Sequence, residues 1–87
     1  MTTTGHDQLE QIVRAALEDV APDLDVAEID ADADFHDDLG LDSMDTLNLA
    51  VALHDATGVD IPERDYAKMP TITTCVAYLR DHGATGA

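Results

Sequence analysis

The chain has 87 residues, which makes one small domain with a marginal core to which every helix must contribute. Hydrophobic residues are 45% of it but aromatics only 3%, so that core is expected to be aliphatic, built from Leu, Ile, Val, Met and Ala. Nineteen acidic residues against four basic ones leave a net charge of −15, a field that repels nucleic acid and anionic membrane and speeds encounter with basic protein surfaces.

Residues 1–5 read as a flexible polar tail with neither the basic nor the apolar region of a signal peptide. A first helix is expected over His6–Val20, where Leu9, Ile12, Val13, Ala16, Leu17 and Val20 recur at i, i+3, i+4 and draw one apolar stripe. Gln8, Glu10, Gln11, Arg14 and Glu18 fall on its other face, and Pro22 ends it. Residues 21–41 form a long connection, and a loop of that length in a compact domain should be pinned or functional. Leu24, Val26, Ile29, Phe35, Leu39 and Leu41 are its candidate anchors, with the Asp side chains left in water.

The connection closes on Asp37-Asp38-Leu39-Gly40-Leu41-Asp42-Ser43-Met44. Gly40 permits a sharp turn, Asp42 has the side chain of a helix N-cap, and Ser43 then falls on the first helical residue. A hydroxyl there faces free backbone N–H groups and the positive end of the helix dipole, an environment that favours a phosphate. The second helix is expected over Ser43–Thr57, with Gly58 as its C-terminal cap, and it is apolar almost all round. Such a helix lies at the centre of a domain or keeps an apolar face for a partner. Met44, Leu47 and Val51 share one stripe, and Leu49 and Leu53 lie elsewhere on the helix. Pro62 suits the start of a short third helix, Glu63 to about Met69. Thr71 caps a fourth, Ile72 to about His82, with Ile72, Cys75, Val76 and Leu79 inward and Gly83 at its end. Residues 84–87 read as a second tail. The whole is an all-α domain spanning 6–83, a four-helix bundle of three main helices and one short one.

Ser43 is a poor catalytic nucleophile, because there is no Gly-x-Ser-x-Gly elbow and no His–acid pair at a recognised spacing. No catalytic residue is assigned. Asp30-x-Asp32-x-Asp34 fails as a calcium loop, since Phe35 stands where Gly is needed and Leu41 where the bidentate Glu should be. The four histidines have no ligand spacing, so no metal site is assigned, although clustered carboxylates would bind divalent cations weakly. The lone Cys75 excludes an internal disulfide and agrees with a reducing, cytoplasmic setting.

From Phe35 to Tyr78 the chain resembles the acyl carrier proteins, small helical domains that carry acyl groups on a 4′-phosphopantetheine arm. Asp42-Ser43-Met44 matches their Asp-Ser-Leu signature, and Asp37-Asp38-Leu39-Gly40 their lead-in to it. Ile61-Pro62-Glu63 matches the opening of the third helix, Thr71-Ile72 the start of the last, and Tyr78 the family tyrosine. The first helix precedes these matches at the expected distance, so the resemblance covers nearly the whole chain.

The resemblance implies that Ser43, flanked by Asp42 and Met44, receives 4′-phosphopantetheine from coenzyme A through a phosphopantetheinyl transferase. It implies a monomer that meets acyl-loading, acyl-transfer or synthase enzymes with basic docking surfaces. Met44, Leu47 and Val51 would lie on the partner side, with Leu49 and Leu53 in the core. Asp45 and Asp55 keep two places of the acidic row usual on the second helix, whereas Asn48 and His54 stand where Glu is usual and Arg64 interrupts the acidic start of the third. These departures point to a specialised carrier. The cargo stays open among fatty-acid, polyketide and related lipid intermediates. Peptidyl or aminoacyl carriers are the alternative, although they usually read Gly-Gly-His/Asp-Ser where this chain has Gly40-Leu41-Asp42-Ser43. A further alternative is a carrier-like interaction subunit of a larger assembly.

Eleven of the nineteen acidic residues lie between Asp19 and Asp45 with no Lys or Arg among them, so self-repulsion opposes compaction. The thermal midpoint should therefore rise with added salt or millimolar divalent cation. A midpoint independent of ionic strength in a salt series would contradict this.

Overall fold

The computed structural model describes residues 5–83, so the expected tails lie outside the described residues except for Gly5, which opens the first helix. Helix α1 spans Gly5–Val20, α2 spans Ser43–Thr57 and α3 spans Ile72–Asp81, with a 3₁₀ helix over Glu63–Lys68 between the last two. Among the described residues there is no strand. The short third helix is thus 3₁₀ rather than α, and Pro62 caps it from outside in extended geometry (φ −70°, ψ 152°) instead of occupying its first position.

The core is aliphatic, with one phenylalanine and one tyrosine. Leu9, Val13 and Leu17 of α1 are fully buried, as are Leu53 of α2 and Ile72, Cys75, Val76 and Leu79 of α3. These are the positions that the helical periodicities select, and α1 packs against both α2 and α3. Replacing any such Leu by Ala would remove roughly 2–5 kcal/mol of stability. Each end of α2 is closed by its own residues. At its C-terminus Gly58 adopts φ 77° and donates its N–H to the His54 carbonyl at 2.7 Å. Helix α3 begins with a reciprocal cap in which the Thr71 hydroxyl accepts from the Thr74 N–H and the Thr74 hydroxyl from the Thr71 N–H.

The long connection is held down by apolar anchors and by polar ties. Phe35 and Leu41 are buried, and Leu24, Val26, Ile29 and Leu39 are half-buried against the core, as the sequence leads one to expect. The polar ties were not legible there. Arg14 falls on what reads as the outer face of α1, yet its side chain is only 20% exposed. It pairs with Glu10 at 2.9 Å and donates to the backbone carbonyls of Val26 and Ile29. Further along, Thr73 at the start of α3 donates its N–H to the Ala31 carbonyl (3.0 Å) and its hydroxyl to Asp32 (2.8 Å). The Phe35 N–H donates to the Pro70 carbonyl at 2.8 Å. The connection therefore runs as a strap from α1 to the foot of α3, and then to the start of α2.

Arg14→Met would keep the apolar stem but leave two loop carbonyls without their donor. It should lower unfolding stability by about 1–3 kcal/mol in urea titration with little loss of helical CD. An unchanged midpoint would mean that the apolar anchors alone hold the strap.

Candidate functional site

The approach to Ser43 is a single helical turn that its own aspartates cap. The Asp34 carboxylate accepts the N–H groups of His36 and Asp37, both at 2.9 Å, and Asp38 accepts the N–H of Asp34 at 2.8 Å. The turn is closed by Asp38 N–H to Asp34 carbonyl (2.9 Å) and Gly40 N–H to His36 carbonyl (3.2 Å). Gly40 then reverses the chain at φ 73°, a left-handed conformation that residues with a Cβ rarely adopt. The acids of the lead-in are thus structural as well as electrostatic: Asp34 and Asp38 each spend an oxygen on the backbone.

Asp42 follows in extended geometry (φ −104°, ψ −173°) and caps α2. Its carboxylate accepts the Asp45 N–H at 2.9 Å, and the Asp45 carboxylate accepts the Asp42 N–H at 3.2 Å, a reciprocal capping box. Asp45, read from the sequence as a docking charge, is therefore also part of the helix start. The first backbone bond of α2 runs from the Thr46 N–H to the Asp42 carbonyl at 3.0 Å. The N–H groups of Ser43 and Met44 consequently have no intrahelical acceptor. Ser43 is exposed on the first residue of the helix, and its hydroxyl makes no hydrogen bond among the described residues.

Around Ser43 the surface is apolar as well as acidic. Met44, Leu47 and Val51 are 62%, 42% and 51% exposed, and no other large hydrophobic side chain among the described residues is comparably open. Leu49, Ala50 and Leu53, on the opposite side of α2, are buried. Asp55 and Asn48 are exposed along the same helix. His54 is half-exposed and turns away to the end of the helix, its Nδ1 3.0 Å from the Val59 carbonyl.

Beside Ser43 a groove of about 670 Å³ opens between the start of α2, the strap and the 3₁₀ helix. Phe35, Met44, Leu47, Ala67, Met69 and Pro70 supply its apolar lining, with His36, Thr46, Glu63 and Tyr66 also at its walls. The sequence carried no signal for it, because its two banks are far apart in the chain and are brought together by tertiary packing, the Phe35–Pro70 tie included. The fit to a phosphodiester-linked arm is good on three counts: an accessible hydroxyl, two uncommitted N–H groups beside it, and an apolar groove at its side.

Three further groups are shifted by their surroundings. The Tyr78 hydroxyl donates to the buried carboxylate of Asp65 at 2.6 Å, and Lys68 lies 3.3 Å from the other oxygen. The tyrosine's hydrogen bond, with help from Lys68, holds the Asp65 pKa below its ordinary value despite burial. Burial, and then the adjoining carboxylate, push the Tyr78 phenol up to about 12. The Cys75 thiol is pushed up to about 12 by burial.

The chain matches the family described as phosphopantetheine attachment site over residues 8–79, which takes in all of α2, the 3₁₀ helix and most of α1 and α3. It belongs to that family and is a phosphopantetheine carrier protein. Members bear a covalently attached 4′-phosphopantetheine, are themselves non-catalytic, and meet phosphopantetheinyl transferases and partner enzymes. No helix among the described residues is long and apolar enough to cross a membrane.

A buried thiol with a raised pKa is a poor nucleophile. The folded protein without its arm should therefore resist an aromatic disulfide reagent at neutral pH and react fully at Cys75 once denatured. Rapid reaction of the folded protein would show that α3 opens more readily than its packing indicates.

Proposed function

We propose that Ser43 is the attachment serine and that the protein is an acyl carrier, serving fatty-acid, polyketide or related specialised lipid synthesis. In the loading reaction the Ser43 oxygen would bond to the phosphorus of coenzyme A that bears the pantetheine. The Ser43 proton is lost, and adenosine 3′,5′-bisphosphate leaves as the diphosphate linkage breaks. When bound, the arm supplies a thiol that holds a carboxylic acid as a thioester. The chain's own part is to present the hydroxyl, to offer the Ser43 and Met44 N–H groups to the phosphodiester, and to keep the site fixed through the Asp42–Asp45 box.

The observation that carries the acyl reading is the groove. An apolar trough that opens at the attachment residue suits a hydrocarbon chain folded back along the protein, and it offers few groups to an aminoacyl cargo. The partner surface follows from the exposed stripe. Met44, Leu47 and Val51 would meet a shallow apolar patch, with Asp42, Asp45 and Asp55 steering a basic rim onto them.

Incubation with coenzyme A and a broad-range transferase should add one phosphopantetheinyl group to the wild-type chain and none to Ser43→Ala, whose helical CD should be unchanged. A gain that persists in Ser43→Ala would contradict the assignment. Asp45→Asn keeps an oxygen for the Asp42 N–H while removing the charge, so it separates docking from capping. In transferase kinetics Asp45→Asn and Met44→Ala should each raise KM, the first with a strong salt dependence, and Asn48→Ala should change little. If Asn48→Ala proves the most damaging, docking is centred further along α2.

A further inference from the structure

The 3₁₀ helix forms one bank of the groove, and it is held to the bundle by Asp65 within it and by Ile61 and Met69 on either side. It is six residues long, and Pro62 gives it no side-chain cap. Side chains three apart eclipse one another in a 3₁₀ helix. Glu63 and Tyr66 therefore fall along one side, and both line the groove together with Met69, which follows the helix. Asp65 and Lys68 fall along another, the side that meets α3. There Asp65 is the one buried charged residue among the described residues, and its partner is the Tyr78 hydroxyl at 2.6 Å. The Tyr78 ring is itself held, stacked on His82 with centroids 3.9 Å apart. A carboxylate spent in the interior of so acidic a chain does something that an apolar residue would not: it accepts one directional bond from a fixed donor.

We infer that the Asp65–Tyr78 hydrogen bond is a latch that positions the 3₁₀ helix as the groove's movable bank, and so determines what the groove admits beside Ser43. The two residues touch no cargo; they act through Tyr66, Ala67 and Met69, which do line the trough. With the bond made, the bank is held against α3 at one spacing from Met44 and Leu47. With it broken, the segment keeps its anchors on either side, Val59 and Ile61 before it and Met69 and the Phe35–Pro70 bond after it, so the stretch between them shifts relative to α3. The inference rests on the acyl reading of the groove.

The test uses the arm-bearing protein, labelled at its methionine methyls and loaded with an octanoyl group from octanoyl-coenzyme A. In the wild type the Met44 and Met69 methyl resonances should move on octanoylation, since both line the groove. Tyr78→Phe removes one hydroxyl and keeps the ring. It should speed hydrogen exchange of the Asp65 and Met69 amides at least about fivefold while leaving the core amides of α1 and α3 unchanged. It should also alter the octanoyl-induced methyl shifts. Asp65→Asn alone, which still offers an oxygen to the tyrosine, should retain slow exchange and the wild-type shifts. Wild-type methyls indifferent to octanoyl would overturn the groove reading and the inference with it. Methyls that respond, combined with local exchange in Tyr78→Phe equal to wild type, would overturn the latch alone. So would exchange that rises equally throughout the bundle, because the bond would then be a general stabiliser.

Discussion

Everything at the Ser43 site depends on how the connection between α1 and α2 is tied to the bundle. Residues 21–42 contain no helix long enough to hold itself in place. Their position comes from the apolar anchors, Phe35 and Leu41 foremost, and from a few directional bonds: Arg14 to the Val26 and Ile29 carbonyls, Thr73 to Ala31, and Phe35 to Pro70. The last of these has two consequences at once. It sets the direction from which the chain enters the Asp34–Gly40 turn, and it brings Phe35 and Pro70 together as groove lining. Ser43 and the groove are thereby built by one strap, so they keep a fixed relation to each other.

Helix α2 divides its apolar residues between two tasks. Leu49, Ala50 and Leu53 complete the core, whereas Met44, Leu47 and Val51 remain in water. Leaving three large apolar side chains exposed on a domain this small forgoes burial that would otherwise stabilise it, of order 25 cal/mol per Å². A contiguous exposed stripe of that kind marks a surface that is covered part of the time. The excess of acid acts over a longer range. It repels like-charged surfaces, at a cost in self-repulsion that the Asp34, Asp38, Asp42 and Asp45 backbone bonds partly offset.

Most of the fold was legible because it is written in local patterns. The i, i+3, i+4 stripe of α1 and the caps at Asp42, Gly58 and Thr71 each follow from residues within a turn or two of one another, whereas which face of the almost wholly apolar α2 turns inward is implied only by the family resemblance. Missing from that reading were the contacts made across the chain. Arg14 looked like an outward residue because helical periodicity does not reveal a carbonyl pair arriving from a loop. The Asp42-x-x-Asp45 pattern held the capping box, but Asp45 drew attention as a charge. The short third helix is legible from Pro62, though not its 3₁₀ form, whereas the buried Asp65 beside Tyr78 and the groove depend on tertiary approach, for which short patterns carry no signal. Tyr78 itself was visible only through the family resemblance, and its bond to Asp65 supplies a physical reason for a tyrosine there.

The central claim is that the strap, the capped start of α2 and the 3₁₀ bank form one site around Ser43. Backbone amide NMR of the protein before and after arm attachment tests it most directly. Shifts should be confined to Gly40–Leu47 and to the groove residues from Tyr66 to Met69, with α1 and the body of α3 unmoved. Shifts spread through α1, or centred away from the start of α2, would contradict it.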